Sequence, residues 1–318
     1  MKTYFLAFLL AFLLSFIFCR VLIPVLRKLK AGQNILVYVK EHQQKTGTPT
    51  MGGLGFIAAA ILSAVFFIHR VERTVVICIV IGLSYMLIGF WDDFLKKMHK
   101  ENLGLRAWQK FFFQIIVAVF AGVYCFREGL TVLHLPFWNR SFDITWWILP
   151  LSIFVFVATV NAVNLTDGLD GLAAGSSVPF FASMGILICL QEGNSSLAVI
   201  CFCLTGALCA YLLFNASPAS IFMGDTGSLA LGAFSASIGV FSGNALYIAV
   251  IGFVFVLSVI SVILQVIYYK VTKGKRIFLM APIHHHFQEK GYSESKIAYA
   301  YFTITMLLGI LCILRVIG

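Results

Sequence analysis

The residues best suited to chemistry occupy the stretch from Asn161 to Gly171, which reads Asn-Ala-Val-Asn-Leu-Thr-Asp-Gly-Leu-Asp-Gly. One apolar run ends directly before this stretch and another begins directly after it. Asp167 and Asp170 therefore lie at the mouth of a hydrophobic segment, where carboxylates are costly and usually functional. Asn161, Asn164, Asp167 and Asp170 follow one another at intervals of three residues. Residues at this spacing lie on the same face of a helix. The alternative is a plain helix C-terminus and turn, which Asn, Asp and Gly also favour.

A second acidic pair, Asp92 and Asp93, closes another apolar run within Gly-Phe-Trp-Asp-Asp-Phe-Leu-Lys-Lys at residues 89–97. Adjacent helical residues point about 100° apart, so the two carboxylates are not expected to share one ligand. We expect one of them to face a metal ion or a phosphate and the other to face a nearby lysine. A simple interfacial charge pair is the alternative.

A further aspartate, Asp225, lies in Phe-Met-Gly-Asp-Thr-Gly-Ser at residues 222–228, where a helix is expected to start. Free backbone N–H groups at such a start bind anions, and an Asp side chain can cap them. Capping alone is therefore the structural alternative for Asp225. Phe222 could stack on a flat base, although a single Phe is more often simply packed in a protein core.

Basic residues occur in two other motifs. Lys45 begins Lys-Thr-Gly-Thr-Pro-Thr-Met-Gly-Gly, which includes Thr50; a lysine beside glycines suits a phosphate, but the residue order is not that of a P-loop. His284, His285 and His286 are consecutive in the last basic loop. Three adjacent side chains cannot converge on one ion from a helix, so a zinc site is not expected. We interpret these histidines as donors to phosphate or sugar oxygens.

The composition indicates an integral membrane protein. Hydrophobic residues make up 60% of the 318-residue chain and charged residues 11%, and the mean hydropathy is +0.96. These values exclude an ordinary soluble domain of this length. The net charge of +10 does not indicate nucleic acid, because the lysines and arginines are concentrated in loops on one side of the expected spans. The eight cysteines lie in or beside apolar segments and lack metal-ligand spacing.

Ten apolar segments organise residues 1–318 into a single transmembrane domain. The predicted spans are residues 3–22, 51–69, 74–91, 108–126, 145–163, 172–190, 197–214, 226–241, 245–269 and 297–317. The loops after the odd-numbered spans carry most of the lysines and arginines, so these loops are predicted to be cytoplasmic and both termini to lie outside. The predicted fold class is therefore all-α: a polytopic integral membrane protein.

The acidic residues gather on the predicted cytoplasmic side. Five of the six aspartates lie at the cytoplasmic ends of spans 3, 5 and 7, which predicts an active site at that face. Carboxylate oxygens without thiolates favour Mg²⁺. Mg²⁺ together with lysine and histidine donors at a membrane face indicates phosphoryl transfer between a nucleotide-bound donor and a lipid acceptor.

In this order and on these loops, the motifs resemble those of the polyprenyl-phosphate N-acetylhexosamine-1-phosphate transferases. Within that superfamily they look most like the phospho-N-acetylmuramoyl-pentapeptide transferases (translocase I), through residues 47–53, 102–105, 164–171 and 284–287. The resemblance covers essentially the whole chain. It implies ten helices, a single transferase domain, Mg²⁺, a homodimer and the bacterial cytoplasmic membrane. It also implies transfer of the phospho-sugar from UDP-N-acetylmuramoyl-pentapeptide to undecaprenyl phosphate, which gives lipid I and UMP.

The resemblance also implies roles for individual residues. Asp92, Asp93, Asp225 and His284 align with residues needed for activity; Asp225 aligns with a magnesium ligand, and Asp92 is the second candidate ligand. The predicted substrate-binding residues are Lys45, Thr50, Lys110, Asn161, Asn164, Asp167, Gly168, Leu169, Asp170, Phe222, His285 and His286. Of these, Lys45, Gly168, Leu169, Asp170 and Phe222 align with the uridine pocket, and Lys110 aligns with an essential lysine.

Two alternatives remain open. A related transferase would use UDP-N-acetylglucosamine as its donor, but residues 47–53 and the histidine run favour the muramoyl-pentapeptide donor. A transporter with an acidic ion site is the non-enzyme alternative. Transporter sites lie near the bilayer midplane, whereas the aspartates here gather at one face and the mid-span residues are almost all apolar.

Overall fold

A computed structural model of the protein describes residues 1–29, 47–68, 72–99, 104–138 and 140–318. Its helices are α1 (Lys2–Lys28), α2 (Gly53–Phe67), α3 (Arg73–His99), α4 (Ala107–Arg127), α5 (Ile148–Thr166), α6 (Leu172–Leu190), α7 (Ser195–Asn215), α8 (Gly224–Phe241), α9 (Ala245–Ile251), α10 (Phe253–Val271), α11 (Ile283–Glu289) and α12 (Glu294–Ile317). An antiparallel hairpin of β1 (Val132–His134) and β2 (Ser141–Asp143) stands between α4 and α5.

Eight of the described helices are long and apolar enough to cross a membrane: α1, α3, α4, α5, α6, α7, α10 and α12. The prediction of a helical polytopic membrane protein is therefore confirmed. Two other predicted spans form α2 and α8, which are not among these eight helices. The helix α2 has only 15 residues, and α8 is rich in Gly, Ala and Ser. The count of ten spans stays a prediction.

The helix α8 lies at the centre of the bundle, where it packs between α3 and α5. Every residue of α8 except Asp225 is buried. Its small side chains allow neighbouring backbones to come close, as is common between membrane helices. At Gly232, for example, an added Cβ would lie only 2.6 Å from Val160 Cα on α5.

Helices at the periphery have the opposite character. Of the 19 residues of α10, only Val254, Phe255, Ser258 and Ser261 are buried, and most of its remaining apolar side chains are exposed. The helices α1, α4 and α12 likewise expose large apolar side chains along their length. Because lipid tails are themselves apolar, such surfaces suit contact with a bilayer.

Two local features differ from the sequence-based expectation. The ninth predicted span is interrupted at Gly252, which separates α9 from α10. An added Cβ at Gly252 would lie 2.6 Å from Ile248 O and 2.9 Å from Phe255 Cδ2, so the chain is crowded at this break. The all-α prediction also missed the hairpin, because its two strands have three residues each and carry no long alternating pattern.

Candidate active site

Three carboxylates meet where the end of α3 approaches the start of α8. Asp92, Asp93 and Asp225 each offer an oxygen within 4.8 Å of the others. Asp92 and Asp93 are buried, and Asp225 is partly exposed. Carboxylate oxygens suit hard divalent cations, so this cluster can hold a metal ion.

Two lysines contact the carboxylate of Asp225. The distances from Asp225 Oδ2 are 3.1 Å to Lys96 Nζ and 2.6 Å to Lys110 Nζ. Lys96 Nζ also lies 2.6 Å from Asp92 Oδ2, so its ammonium stands between two of the three carboxylates. Because the cluster already accommodates one cation between Asp92 and Asp225, the donor set fits a metal ion at the same oxygens.

The third carboxylate, Asp93, is bonded to the first turn of α8. Its Oδ2 accepts hydrogen bonds from Thr226 N–H at 2.9 Å and from the Thr226 hydroxyl at 2.7 Å. Its Oδ1 accepts a hydrogen bond from Asp225 N–H at 3.2 Å. Asp93 on α3 therefore caps α8, so the Asp225 carboxylate does not cap its own helix.

The other member of the pair, Asp92, is held by the segment that precedes α4. Leu105 N–H donates to Asp92 Oδ1 at 2.7 Å, and an added Cβ at Gly104 would overlap that same oxygen. Gly104 and Leu105 are the described half of the motif at residues 102–105. The adjacent aspartates have different protein contacts, since Asp92 contacts a lysine and Asp93 contacts a helix N-terminus. Both carboxylates nevertheless belong to the same cluster with Asp225, so the expectation that they would not share one ligand is not confirmed.

The asparagines of α5 lie on the same side as this cluster. Asn164 Nδ2 donates to Asp225 Oδ1 and to Ser228 Oγ, each at 2.8 Å. One turn earlier, Asn161 Nδ2 donates to Gln114 Oε1 on α4 at 2.8 Å. A cavity of about 450 Å³ opens here, lined by Ala107, Trp108, Lys110, Phe111, Gln114 and Asn161. The cavity is therefore lined both by apolar side chains and by Lys110, the lysine that contacts Asp225.

The helix α5 ends at Thr166, so the helical face predicted for four polar residues reaches only the two asparagines. Beyond that end, Asp170 is buried: its Oδ2 accepts from Ala219 N–H at 3.0 Å, and its own N–H donates to Glu294 Oε2 on α12 at 2.9 Å. Leu169 is buried as well. These contacts fix the turn between α5 and α6 against two other parts of the chain.

Asp167 stands in the same turn and is half-buried. Burial raises the pKa of its carboxyl well above the ordinary value, and the nearby carboxylates of Asp225, Asp93 and Asp170 raise it further. Both effects disfavour the charged form.

The histidine loop reaches the turn at Gly168. An added Cβ at Gly168 would lie 2.5 Å from His284 Nε2 and 3.0 Å from His285 Nε2, so only glycine allows this approach. His284 is fully buried, and neither of its ring nitrogens has a hydrogen-bond partner among the described residues. Burial, reinforced by His285, lowers the pKa of His284 to about 3. A neutral, unpartnered imidazole at this place is suited to bind a ligand.

The other two histidines make contacts within the loop. His285 Nδ1 lies 2.9 Å from Gln288 Oε1, and His286 Nδ1 accepts from Leu279 N–H at 3.1 Å. These bonds shape the segment before and within α11. Contact between His285 or His286 and a substrate stays a prediction.

The segment before α8 pairs with the segment before α2. Phe222 N–H donates to Pro49 O, and Phe222 O accepts from Gly52 N–H, both at 2.8 Å. Thr50, between these partners, is buried, and its hydroxyl has no partner among the described residues. An added Cβ at Gly224 would lie 2.5 Å from that hydroxyl, which places Thr50 beside the start of α8. Lys45 lies outside the described residues.

Gln265 on α10 is a functional candidate that no sequence motif identified. Its Oε1 accepts from the N–H groups of Ile277 and Phe278 at 3.1 and 3.0 Å, and its Nε2 donates to Phe278 O at 3.0 Å. Ser261, one turn earlier, accepts from Ile283 N–H at 3.0 Å. Gln265 therefore fixes the loop that leads to His284. The available signal was an amide near the end of an otherwise apolar span.

Comparisons with known proteins identify the family of the chain. The family described as Glycosyl transferase family 4 matches residues 74–243. Proteins named phospho-N-acetylmuramoyl-pentapeptide-transferase are similar over nearly the whole chain. The Listeria welshimeri protein is 41% identical over 93% of this chain and 92% of its own length. A Clostridium perfringens protein is 44% identical over 90% of this chain and 90% of its own length. The Bacillus subtilis protein is 42% identical over 92% of this chain and 91% of its own length.

Proposed function

Because the chain belongs to glycosyl transferase family 4 and, within it, to the phospho-N-acetylmuramoyl-pentapeptide transferases, we propose that it acts on the substrates of that family. It transfers phospho-N-acetylmuramoyl-pentapeptide from its UDP conjugate to undecaprenyl phosphate. The products are lipid I and UMP, and the reaction is a step of peptidoglycan synthesis at the bacterial cytoplasmic membrane. The observation that carries this proposal is the cluster of Asp225 with Lys96 and Lys110 beside an apolar-walled cavity.

The acceptor phosphate attacks the donor directly. A phosphate monoester has a second pKa of about 6, so the acceptor is mostly dianionic near neutral pH and gains little from a general base. One of its oxygens forms a bond to the β-phosphorus of the donor while the bond from that phosphorus to the UMP oxygen breaks. Lys96 and Lys110 stabilise the charge that develops on the phosphoryl oxygens.

Mg²⁺ is the proposed cofactor, with Asp225 and Asp92 as its protein ligands. When bound, the ion neutralises charge on the diphosphate of the donor. Asp93 keeps the first turn of α8 in place through its bonds to Thr226 and to the Asp225 backbone, so it acts as a positioning residue for Asp225.

The remaining residues bind the two substrates. The uridine lies against Gly168, Leu169, Asp170 and Phe222, with Lys45 close by, and Thr50, Asn164 and Asp167 make polar contacts beside it. His284, with His285 and His286 next to it, donates to a phosphate or sugar oxygen. Lys110 and Asn161 receive the acceptor phosphate, whose chain leaves through the cavity lined by Trp108 and Phe111.

We further propose ten spans, both termini outside, a cytoplasmic site and a homodimer. The buried helix α8 and the short helix α2 supply the two spans beyond the eight candidates. The orientation is tested by cysteine labelling of intact cells with an impermeant maleimide. Phe142→Cys in the hairpin should be labelled, and Lys275→Cys, in the basic loop after α10, should not. Equal labelling would refute the orientation.

Substrate choice is tested with purified protein, undecaprenyl phosphate, Mg²⁺ and two donors assayed side by side. UMP should be released from UDP-N-acetylmuramoyl-pentapeptide and not from UDP-N-acetylglucosamine. The opposite preference would identify an N-acetylglucosamine-1-phosphate transferase. Release by detergent-solubilised protein, without any membrane gradient, also separates an enzyme from a transporter.

The direct-attack mechanism is tested with Asp92→Asn between pH 7 and 9. If Asp92 orients the acceptor or the metal, the ratio of mutant to wild-type activity should stay flat over that range. If Asp92 is a general base, the mutant should recover as the solution deprotonates the acceptor. A ratio that climbs about tenfold or more would replace direct attack with general-base catalysis.

A further inference from the structure

A second cavity lies at the end of the molecule opposite the carboxylate cluster. It has a volume of about 260 Å³ and lies between the hairpin turn, the ends of α6 and α12 and the start of α9. Both α6 and α12 begin beside the candidate active site, at the turn that contains Asp170, and they end here. The cavity is therefore separated from the active site by the length of a membrane span.

The lining of this cavity is cationic. It includes Arg140 and Arg315, and no Asp or Glu is among its described lining residues. Arg315 Nε donates to Phe137 O at 2.9 Å, which holds its guanidinium against the hairpin. Arg140 forms no ion pair or hydrogen bond with a side chain in the described part of the chain.

Neutral donors complete the lining. Gln191 uses its Oε1 to accept from Asn244 Nδ2 at 2.8 Å, so its amide N–H groups remain as donors. Burial lowers the pKa of His134, which favours its neutral imidazole. Two fixed positive charges with neutral donors around them match a phosphate group, because guanidinium groups bind phosphate through paired hydrogen bonds.

The surroundings place the cavity at the depth of lipid headgroups. Trp138, which lines it, and the stacked pair Trp146 and Trp147 are more than half exposed, as expected for an aromatic belt at the membrane surface. Next to Arg315, α12 exposes Leu314 and Ile317. Acyl chains can lie along this apolar surface while a phosphate occupies the cavity above it.

From this combination of charge and depth, we propose that the cavity between the hairpin and the ends of α6 and α12 binds the phosphate group of an anionic phospholipid, held by Arg140 and Arg315. The volume of the cavity suits a headgroup rather than a larger ligand, since sites for drug-sized molecules begin near about 300 Å³.

The test is native mass spectrometry of the detergent-solubilised full-length protein titrated with phosphatidylglycerol or phosphatidylcholine. The wild type should bind phosphatidylglycerol at least about tenfold more tightly than phosphatidylcholine. Arg140→Gln should bind phosphatidylglycerol about tenfold more weakly than the wild type does. Arg140→Gln is the first variant because Arg140 has no side-chain bond in the described structure, so the fold should be unaffected. Arg315→Lys should weaken binding less, because it keeps the charge and loses the paired hydrogen bonds.

The matched control is Arg73→Gln. Arg73 lies at the same end of the molecule and pairs with Glu128, outside the cavity, so its loss should change phosphatidylglycerol affinity by less than about twofold. Inorganic phosphate at millimolar concentration is added in a parallel titration. If it displaces phosphatidylglycerol from the wild type, the site takes the free anion as well; if it does not, the site requires the lipid. The proposal is overturned if Arg140→Gln and Arg315→Lys both bind phosphatidylglycerol as the wild type does, or if Arg73→Gln lowers the affinity equally.

Discussion

The helices α8 and α10 have nearly the same length, 18 and 19 residues, but opposite surroundings. The first is buried on every side except at Asp225, whereas the second buries four residues and faces outward along most of its surface. Each helix supports a different part of the candidate site: α8 carries the carboxylate Asp225, and α10 holds the loop that leads to His284. Asp225 is part of α8 itself, but His284 follows a loop that is bonded to α10 through Gln265.

This difference separates two ways of holding a functional group. Asp225 is positioned by backbone packing and by the Asp93 cap, so its position depends on contacts that surround it. His284 packs against Gly168, and the loop that precedes it is held by a few side-chain bonds to one peripheral helix, α10. Changes in α8 and its neighbours should therefore have larger effects than changes in α10, and they should affect metal binding more directly.

The largest effect is expected from Asp225→Asn. This change removes a charged ligand from the centre of the carboxylate cluster, and we expect at least a ~100-fold loss of UMP release. The residual activity should require more Mg²⁺. Asp143→Asn, in the exposed hairpin, is the matched control and should retain wild-type activity. An unchanged Mg²⁺ requirement in Asp225→Asn would transfer the role of ligand to Asp92 or Asp93.

The next largest effect is expected where α3 approaches α8. An alanine at Gly89 would overlap the Asp225 carbonyl, so Gly89→Ala should displace the first turn of α8. We expect a stability loss of about 1–3 kcal/mol and a marked fall in activity. Gly175→Ala in α6 is the control, because an added Cβ there meets nothing within 4 Å. Melting temperature and UMP release measure the two effects, and similar behaviour of both variants would contradict the close packing around α8.

A smaller effect is expected from Gln265→Ala, which removes three hydrogen bonds to the loop before His284. We expect kcat/KM to fall about tenfold, since each lost bond contributes on the order of 1 kcal/mol and the loop can partly compensate. The Mg²⁺ requirement should not change, because the carboxylates are held by other helices. Leu264→Ala, at the neighbouring outward-facing position, is the control. A changed Mg²⁺ requirement in Gln265→Ala would show that the two halves of the site are not held independently.

The smallest effect concerns the pH dependence of stability at His284. Its pKa of about 3 in the folded protein is lower than the ordinary value of about 6.5 in the unfolded chain. The unfolded chain therefore binds the proton more readily, and stability is lost as the pH falls below about 6.5 towards 3. At pH 5.5 the loss should be about 1 kcal/mol. The melting temperature should fall more between pH 7.5 and 5.5 for the wild type than for His284→Gln; parallel curves would contradict the buried neutral state.

The apolar runs located the segments of the chain that form α1 to α10 and α12. The gathering of aspartates at span ends predicted an active site, and three of them, Asp92, Asp93 and Asp225, lie together in the structure. The sequence favoured separate ligands for Asp92 and Asp93, so it did not predict that both would join one cluster. The family resemblance inferred from the motifs is confirmed by relatives that are 41% to 44% identical.

Other features depend on contacts that local pattern does not encode. The bond from Thr226 N–H to Asp93 joins residues 133 positions apart, so no spacing within either motif reveals it. The break at Gly252 occurs where Ile248 and Phe255 leave no room for a side chain, and the hairpin is too short to show a period. For the same reason, the sequence suggested that Asp225 could cap α8, whereas the cap comes from a different helix.

The cap from Asp93 has a consequence for how the protein is assembled. In a bilayer, backbone N–H groups without partners are costly, and α8 is not among the helices that are long and apolar enough to cross a membrane unaided. The first N–H groups of α8 are satisfied by a carboxylate of α3, which is made earlier in the chain. If α8 is one of the spans proposed above, its insertion should depend on α3 already being in place, because α3 supplies the carboxylate that accepts from the first N–H groups of α8.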